Sequence, residues 1–265
     1  MLTLCLFVLA SSKLHLSYEE KSFISWMRTN NQAFIVDEYH FRLGVFLTNS
    51  RYIKEFNSRN KSFTLGPNKF ACYTEAEYQA IIGSVPSIAL LQQQPQYPNI
   101  ISTKPDSVDW RKKGMVNEIK DQGQCSAGYV FAMTQACESG YALTHTYLPS
   151  FSDQNLLDCT TESQGCYGGT LDDVINRIVH YQQGYLMYEN DYPYEGYKHA
   201  TCSYSSEKAV YVSINFIVGN YGNEERVAEF VAAGVCATMI DASHASFQLY
   251  SSGIYDEPDC SSTRT

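Results

Sequence analysis

Residues 38–57 read EYHFRLGVFLTNSRYIKEFN, and this stretch decides the fold of the N-terminal part of the chain. Six of its residues follow one another at intervals of four, four, three, four and four positions. These intervals average close to the period of about 3.6 residues of an α-helix, so the six side chains share one stripe along about five turns. The six residues are Glu38, Arg42, Phe46, Asn49, Ile53 and Asn57.

This stripe is mixed rather than apolar, which is not typical of a helix that simply faces a core. A glutamate, an arginine and two asparagines on a packed stripe need specific hydrogen-bond partners. Phe23 and Trp26 lie three positions apart and predict a shorter helix that packs against the first. We therefore expect region 18–82 to be mostly helical, whereas residues 86–102, PSIALLQQQPQYPNIIS, have the composition of a linker.

The spacing of the six residues resembles the prodomain signature of cathepsin L-like cysteine peptidases, and all six positions match. The run LGPNKFA at 65–71 resembles the second prodomain motif, G-x-N-x-F-x-D. Gly66, Asn68 and Phe70 match this motif, and Cys72 stands where the aspartate would be. The resemblance implies an inhibitory prodomain over 18–82 that covers the cleft of a following peptidase domain.

Residues 105–132, PDSVDWRKKGMVNEIKDQGQCSAGYVFA, resemble the start of a mature papain-like domain. The nucleophile region of such enzymes reads C-G-[SA]-C-[WY]. Here the five positions are Cys125, Ser126, Ala127, Gly128 and Tyr129, so a glycine occupies the nucleophile position. A glycine has no side chain and cannot form an acyl-enzyme, and a catalytic role for Cys125, three positions earlier, is not favoured.

An oxyanion hole is also implied by the resemblance. Its donors would be the side-chain amide of Gln122 and the backbone N–H of Gly128, which a glycine still supplies. Without a nucleophile, such a hole binds a carbonyl but does not cleave the peptide.

The catalytic His and Asn of the family lie about 130–150 residues after the nucleophile. The sequence ends at Thr265, and neither residue type occurs between 258 and 265. We therefore expect a C-terminally truncated domain without the catalytic His and Asn. His244 lies in a run that resembles the segment just upstream of the catalytic His, and we interpret it as a surface or structural histidine.

Two disulfides are implied by the same resemblance, Cys125 with Cys166 and Cys159 with Cys202. Cys166 belongs to a G-C-x-G-G motif whose Gly168 and Gly169 lack side chains. Either a substrate strand lies close to their backbone or they form an ordinary turn. Cys137 is interpreted as a buried thiol on the helix that begins near 128. Cys236 has no predicted partner, and the partner implied for Cys260 lies beyond the end of the sequence.

The fold implied is α+β: a papain-like two-lobe peptidase, with a helical lobe over about 115–210 and an incomplete β-barrel lobe, preceded by the helical prodomain. Runs at 154–159 and 171–180 predict further helices in the first lobe, and runs at 210–218 and 237–240 predict strands of the second. The domain boundaries that follow are 1–12 for a signal peptide, 18–82 for the prodomain, 83–102 for a linker and 103–265 for the peptidase domain.

Composition restricts the partners. The net charge of −9 opposes binding to nucleic acid or to an anionic membrane surface. No apolar run is long enough to span a bilayer, and the absence of CxxC and HExxH patterns gives no indication of zinc or of another cofactor.

The opening MLTLCLFVLASS indicates a short secretory signal, the alternative being a buried N-terminal segment. Nine cysteines favour an oxidising compartment, so we expect the secretory pathway, with a lysosome-like or extracellular destination.

The sequence therefore predicts a cathepsin L-type cysteine endopeptidase homologue that is inactive because Gly128 replaces the nucleophile. Peptide or protein substrates and the chain's own prodomain are the partners that the resemblance implies. One alternative is a binding protein, either a prodomain that inhibits active cathepsin-like relatives or a cleft that holds peptides without cutting. Further alternatives are an active endopeptidase, if the residue at 128 and the end at 265 are errors in the sequence, and a product without a selected function.

Overall fold

The computed structural model describes residues 17–83, 105–212 and 224–261. The chain divides into two compact units, one of Met1–Glu75 with Ala245–Glu257 and the other of Ala76–His244 with Pro258–Thr265. The predicted signal at 1–12, most of the predicted linker and residues 213–218 of one predicted strand lie outside the described residues.

Within these ranges the chain forms eight α-helices and four short strands. The helices are α1 (Tyr18–Thr29), α2 (Val36–Asn57), α3 (Glu75–Ile82), α4 (Gly128–Thr144), α5 (Asp153–Cys159), α6 (Leu171–Asn176), α7 (Glu224–Ala233) and α8 (Ala245–Gln248). The strands are β1 (Phe63–Leu65), β2 (Tyr185–Met187), β3 (Ala209–Tyr211) and β4 (Tyr250–Gly253).

Local sequence accounts for several helix starts. The Ser17 side chain accepts a hydrogen bond from Glu20 N at the start of α1, and two glutamates lie in the first turn, where the helix dipole favours negative charge. At α6, Thr170 and Asp173 form a capping box, each side chain accepting a hydrogen bond from the other residue's backbone N–H.

An aromatic core holds the first unit together. Phe23, Trp26 and Phe46 are almost fully buried, and their ring centroids lie 5.2–5.9 Å apart. The predicted helical pair is therefore confirmed, because α1 supplies Phe23 and Trp26 and α2 supplies Phe46. Beside this core, β1 pairs antiparallel with β4, with Phe63 opposite Gly253.

Helix α4 is the centre of the second unit. Its residues Val130 and Met133 pack in a buried cluster with Leu156 and Leu157 of α5 and Val174 of α6. An antiparallel pair, β2 with β3, places Tyr185 opposite Tyr211.

A largely buried set of ion pairs lies beside α4. The Lys120 ammonium lies 3.0 Å from a Glu138 carboxylate oxygen and 2.9 Å from an Asp153 carboxylate oxygen. Since Glu138 is fully buried, this ion pair and the N–H of Phe151, at 2.8 Å, offset the cost of removing its carboxylate from water.

The helices predicted over 154–159 and 171–180 are present, although the second ends at Asn176 and continues as a π-helical turn, Arg177–Tyr181. The strand predicted at 237–240 is wrong, since residues 235–243 are irregular. A strand needs a hydrogen-bonded neighbour, and this run pairs with none among the described residues. The described ranges hold two two-stranded sheets. None of the described helices combines the length and the apolar character needed to cross a bilayer.

Candidate active site

Gly128, the predicted nucleophile position, is the first residue of α4 and is exposed. The preceding loop is fixed by the Cys125–Cys166 disulfide and by a hydrogen bond of 3.0 Å from Ser126 N to Cys166 O. A Cβ added at Gly128 would meet only the Gln122 side-chain oxygen, at an ordinary contact distance of 3.4 Å. Packing therefore does not require a glycine there.

Gln122, the predicted oxyanion donor, lies beside this loop and is half-buried. Its backbone carbonyl accepts a hydrogen bond of 2.8 Å from the Tyr194 hydroxyl. Burial is the main cause that raises the pKa of Tyr194 to about 12, so this hydroxyl stays protonated and able to donate at neutral pH. The Gln122 side chain has an acceptor, because its Nε2 donates to the backbone carbonyl of Ile81 at 3.4 Å.

Ile81 belongs to α3, so the end of that helix lies against the loop that precedes α4. The Ser126 hydroxyl donates to the same Ile81 carbonyl at 2.6 Å. Gly83 also lies close to Ser126. A Cβ built on Gly83 would lie 2.9 Å from Ser126 Cβ and 3.2 Å from the Tyr167 carbonyl oxygen. Ser126 is not one of the predicted site residues. The sequence does contain a signal for it, because Ser126 stands where the family signature has glycine.

The structure gives Gly168 and Gly169 of the G-C-x-G-G motif a role in the fold itself. Gly168 has a φ of +121° at the end of the 3₁₀ turn Gly165–Tyr167, a conformation that favours glycine. A Cβ on Gly169 would lie 2.5 Å from the ring of Tyr129, so this ring occupies the space of a side chain. Contact with a substrate strand stays a prediction for both residues.

His244 lies next to Asp241, with 3.4 Å between its Nε2 and the carboxylate. Asp241 is buried and accepts hydrogen bonds from Ser243 N, at 3.0 Å, and from Ser261 N, at 2.9 Å. Burial raises the pKa of Asp241, but a hydrogen bond of 2.6 Å from the Ser243 hydroxyl, these two backbone hydrogen bonds and the nearby His244 outweigh it and lower the pKa to about 2. The carboxylate is therefore ionised at neutral pH and holds this part of the chain together.

The second implied disulfide, Cys159–Cys202, is also present. Cys137 is a buried thiol on α4, as its sequence position indicated. Burial and the nearby Glu138 raise the pKa of Cys137 to about 12, so its thiol is unreactive at neutral pH. No cluster of three or more potential metal ligands occurs among the residues that the structure describes.

The polar residues of the α2 stripe have specific hydrogen-bond partners, as the sequence predicted. Arg42 donates to the Cys72 carbonyl at 3.1 Å and lies 3.4 Å from Glu38 one turn away. The Asn49 amide donates to the Ala71 carbonyl at 2.9 Å. Asn57 bonds β1 twice, donating to Leu65 O and accepting from Leu65 N, each at 2.9 Å. The apolar members, Phe46 and Ile53, pack in the aromatic core.

The second prodomain motif meets the segment 245–257 of the same unit. Asn68 donates to the Gln248 carbonyl at 2.7 Å, and Gly66 N donates to the Leu249 carbonyl at 2.9 Å. Asn68 Oδ1 also accepts a hydrogen bond of 2.9 Å from the N–H of Phe70, so the motif shapes its own turn as well as its partner contact.

Comparison with known families matches both parts of the chain. Residues 104–265 match the model of the papain family cysteine proteases, and residues 23–78 match the cathepsin propeptide inhibitor domain. The chain belongs to the papain family of cysteine proteases. The family and the α+β papain-like fold that the motifs implied are thereby confirmed.

Individual relatives agree with this assignment. Cysteine proteinase 5 of Dictyostelium discoideum is 33% identical over 242 residues, which are 91% of this chain and 70% of that protein. Procathepsin L of Rattus norvegicus is 34% identical over 247 residues, covering 89% of this chain and 72% of that protein.

Solved papain-family precursors superimpose on the chain. Digestive procathepsin L 3 of the Tenebrio molitor larval midgut matches with a TM-score of 0.77 and 27% identity, covering 94% of this chain and 82% of that one. A recombinant stem bromelain precursor matches with a TM-score of 0.74 and 28% identity, covering 91% and 78%. The chain is thus a cathepsin L-like papain-family precursor with its own propeptide inhibitor domain.

Proposed function

We propose that this papain-family chain is catalytically inactive and holds main-chain carbonyls in its site without cleaving them. The observation that carries the proposal is Gly128 at the N-terminus of α4. In a cysteine peptidase this position carries the thiolate, which attacks the peptide carbonyl and forms the acyl-enzyme.

The remaining groups support carbonyl binding. The Gln122 amide, an oxyanion donor by family resemblance, already donates to the carbonyl of Ile81. Oxyanion donors accelerate a reaction only when a nucleophile converts the carbonyl into a tetrahedral species. Gly168 and Gly169 would lie along a bound peptide in this proposal.

The test is hydrolysis of a dipeptidyl fluorogenic substrate by the full chain, with a reducing agent present. We expect no turnover above buffer, whereas an active cathepsin L-like enzyme at equal concentration hydrolyses the substrate. Thiol-dependent hydrolysis that an epoxide inhibitor abolishes would contradict the proposal.

The prodomain supports a second candidate function, inhibition of active cathepsin-like relatives in trans. The observation behind it is the set of hydrogen bonds that shape the prodomain, above all those from Asn49 and Asn57 to backbone carbonyls. A segment spanning residues 17–83 would be added to an active cathepsin L-like enzyme. Submicromolar inhibition, weakened by Asn68→Ala, supports this function, and no inhibition by the folded segment excludes it.

We further propose that the chain enters the secretory pathway, with a lysosome-like or extracellular destination. The two disulfides support this location, since such bonds persist mainly in oxidising compartments. The tagged full chain is expected in lysosome-like vesicles or in the medium, and a diffuse cytosolic signal would contradict the proposal.

A further inference from the structure

We propose that Asn60 is an N-glycosylation site, so that the prodomain carries one oligosaccharide on the turn between α2 and β1. Residues 60–62 read Asn-Lys-Ser, which is an N-x-[ST] acceptor with a residue other than proline in the middle. The sequence contains no other triplet of this kind. This inference deepens the proposed function and rests on the proposed entry into the secretory pathway, where such acceptors are modified.

The turn presents the triplet to solvent, because all three of its residues are exposed. Asn60 has a φ of +53°, a left-handed conformation that asparagine adopts more readily than most residues. Side chains alternate along β1, Phe63–Leu65, in the order buried, exposed, buried. Ser62 continues this alternation on the side that faces solvent. A bulky polar group can therefore leave the turn without displacing a core side chain.

The modification is a group transfer to the Asn60 side chain. Its amide nitrogen forms a bond to the anomeric carbon of an oligosaccharide, which a polyprenyl diphosphate donates and an oligosaccharyltransferase transfers. The bond between the anomeric carbon and the diphosphate oxygen breaks, and the diphosphate leaves with the electron pair. The amide nitrogen loses one proton, so the step needs no oxidant or reductant.

The timing of synthesis leaves the acceptor open. In the folded chain the Ser62 hydroxyl donates to the Ile254 carbonyl at 2.8 Å, and the Ser62 carbonyl accepts from the Ile254 N–H at 3.1 Å. These two residues are 192 positions apart in sequence. At a synthesis rate of about 5–20 residues per second, the triplet precedes Ile254 by about 10–40 s. Transfer to Asn60 therefore occurs before β1 and β4 pair.

Two other asparagines of α2 show why Asn60 is the acceptor. Asn49 and Asn57 are each followed by a serine, but the next position, which must carry the hydroxyl, holds an arginine in both cases. Both of their amides donate instead to backbone carbonyls of the prodomain. Nearby asparagine and serine residues are thus common in this segment, whereas the acceptor spacing occurs once.

The experiment is expression of the full chain in a eukaryotic cell line, followed by treatment with peptide N-glycosidase F. We expect the mass to fall by one oligosaccharide and Asn60 to become an aspartate, read by mass spectrometry of the peptide that contains the triplet. Asn60→Gln and Ser62→Ala should each abolish the fall in mass, whereas Ser62→Thr, which keeps a hydroxyl, should retain it. The matched control is Ser58→Ala, which removes another exposed serine hydroxyl beside the turn and should leave the modification unchanged.

An unmodified Asn60 in a chain whose two disulfides have formed would overturn the proposal and leave the secretory location in place. An unmodified Asn60 together with reduced cysteines would overturn both, because the chain would not have entered an oxidising compartment. A fall in mass that persists in Asn60→Gln would also overturn the proposal, since the oligosaccharide would then lie elsewhere. Hydrolysis of a peptide substrate would contradict only the proposed inactivity, so the proposals fail by different measurements.

Discussion

A thiol introduced at position 128 would lie at the first residue of a 17-residue helix with no acidic side chain in its first turn. The positive end of the helix dipole stabilises a thiolate, so the pKa of the thiol in Gly128→Cys should fall below the usual value of about 8.5. The measurement is the rate of iodoacetamide alkylation of that peptide against pH, read by mass spectrometry.

A matched control for this thiol is Gly140→Cys, on the same helix but near its other end. Gly140 is exposed, and a Cβ there would meet nothing within 4 Å. Its thiol should titrate at or above the ordinary pKa, and Cys137 should stay unmodified. Identical profiles for the two introduced thiols would show that the start of α4 does not provide a thiolate site.

Asp241 predicts a pH dependence of stability. Its folded pKa of about 2 lies below the unfolded value of 3.8, so its stabilisation is present above about pH 4 and is lost as pH falls toward 2. Asp241→Asn should lower the free energy of unfolding by about 2 kcal/mol at pH 7. Urea unfolding from pH 7 to pH 3 should show this difference shrinking below pH 4.

The control for that series is Asp191→Asn, which changes an exposed carboxyl group and should cost less than about 0.5 kcal/mol at either pH. A loss in Asp241→Asn that is independent of pH would mean that its shape, rather than its charge, stabilises the fold.

At the scale of secondary-structure elements, Asn68 joins the prodomain motif to the end of α8, just before β4. Asn68→Ala removes the donor to the Gln248 carbonyl and the acceptor for Phe70 N. Two lost bonds at a half-buried site should cost about 2 kcal/mol. Exchange of peptides covering β1 and β4 should accelerate, while Lys54→Ala, on the exposed side of α2, should leave it unchanged. Slow exchange retained in Asn68→Ala would contradict this role.

Elements defined by local periodicity were predictable, and those defined by distant partners were not. The spacing of the α2 stripe predicted both the helix and the need of its asparagines for hydrogen-bond partners. The strand predicted at 237–240 failed because β structure depends on a neighbouring strand, which local composition does not reveal. Ser126 was missed for the same reason, since its acceptor Ile81 lies 45 positions away.

Some residues of the candidate site could be selected by their motif, although the motif does not reveal their role in the fold. Gly169 was selected for close approach of a substrate, yet the ring of Tyr129 already fills the space where its side chain would be. The two disulfide pairs followed from family resemblance, because cysteine spacing alone leaves the connectivity open.

At the scale of the whole molecule, two segments that are far apart in the sequence contribute to one unit. Segment Ala245–Glu257 belongs with the prodomain residues up to Glu75. Leu249, which is fully buried, packs in the same cluster as Phe23 and Trp26. The Gln248 amide adds two hydrogen bonds of 3.1 Å, to the carbonyls of Phe70 and Tyr73. Cutting the chain between residues 83 and 105 would therefore divide this unit without removing its internal contacts.

We expect a chain cut in this way to remain a single particle. A specific protease site inserted between residues 92 and 93 allows the cut, and the two fragments should co-elute in gel filtration at neutral pH. Both disulfides lie on the C-terminal side of the cut, so a reducing agent should not release the prodomain, whereas urea should. Asn68→Ala should weaken the association about 30-fold, the equivalent of about 2 kcal/mol. Separation of the unmodified fragments in buffer would show that β1–β4 pairing and the burial of Leu249 do not suffice to hold a cleaved prodomain.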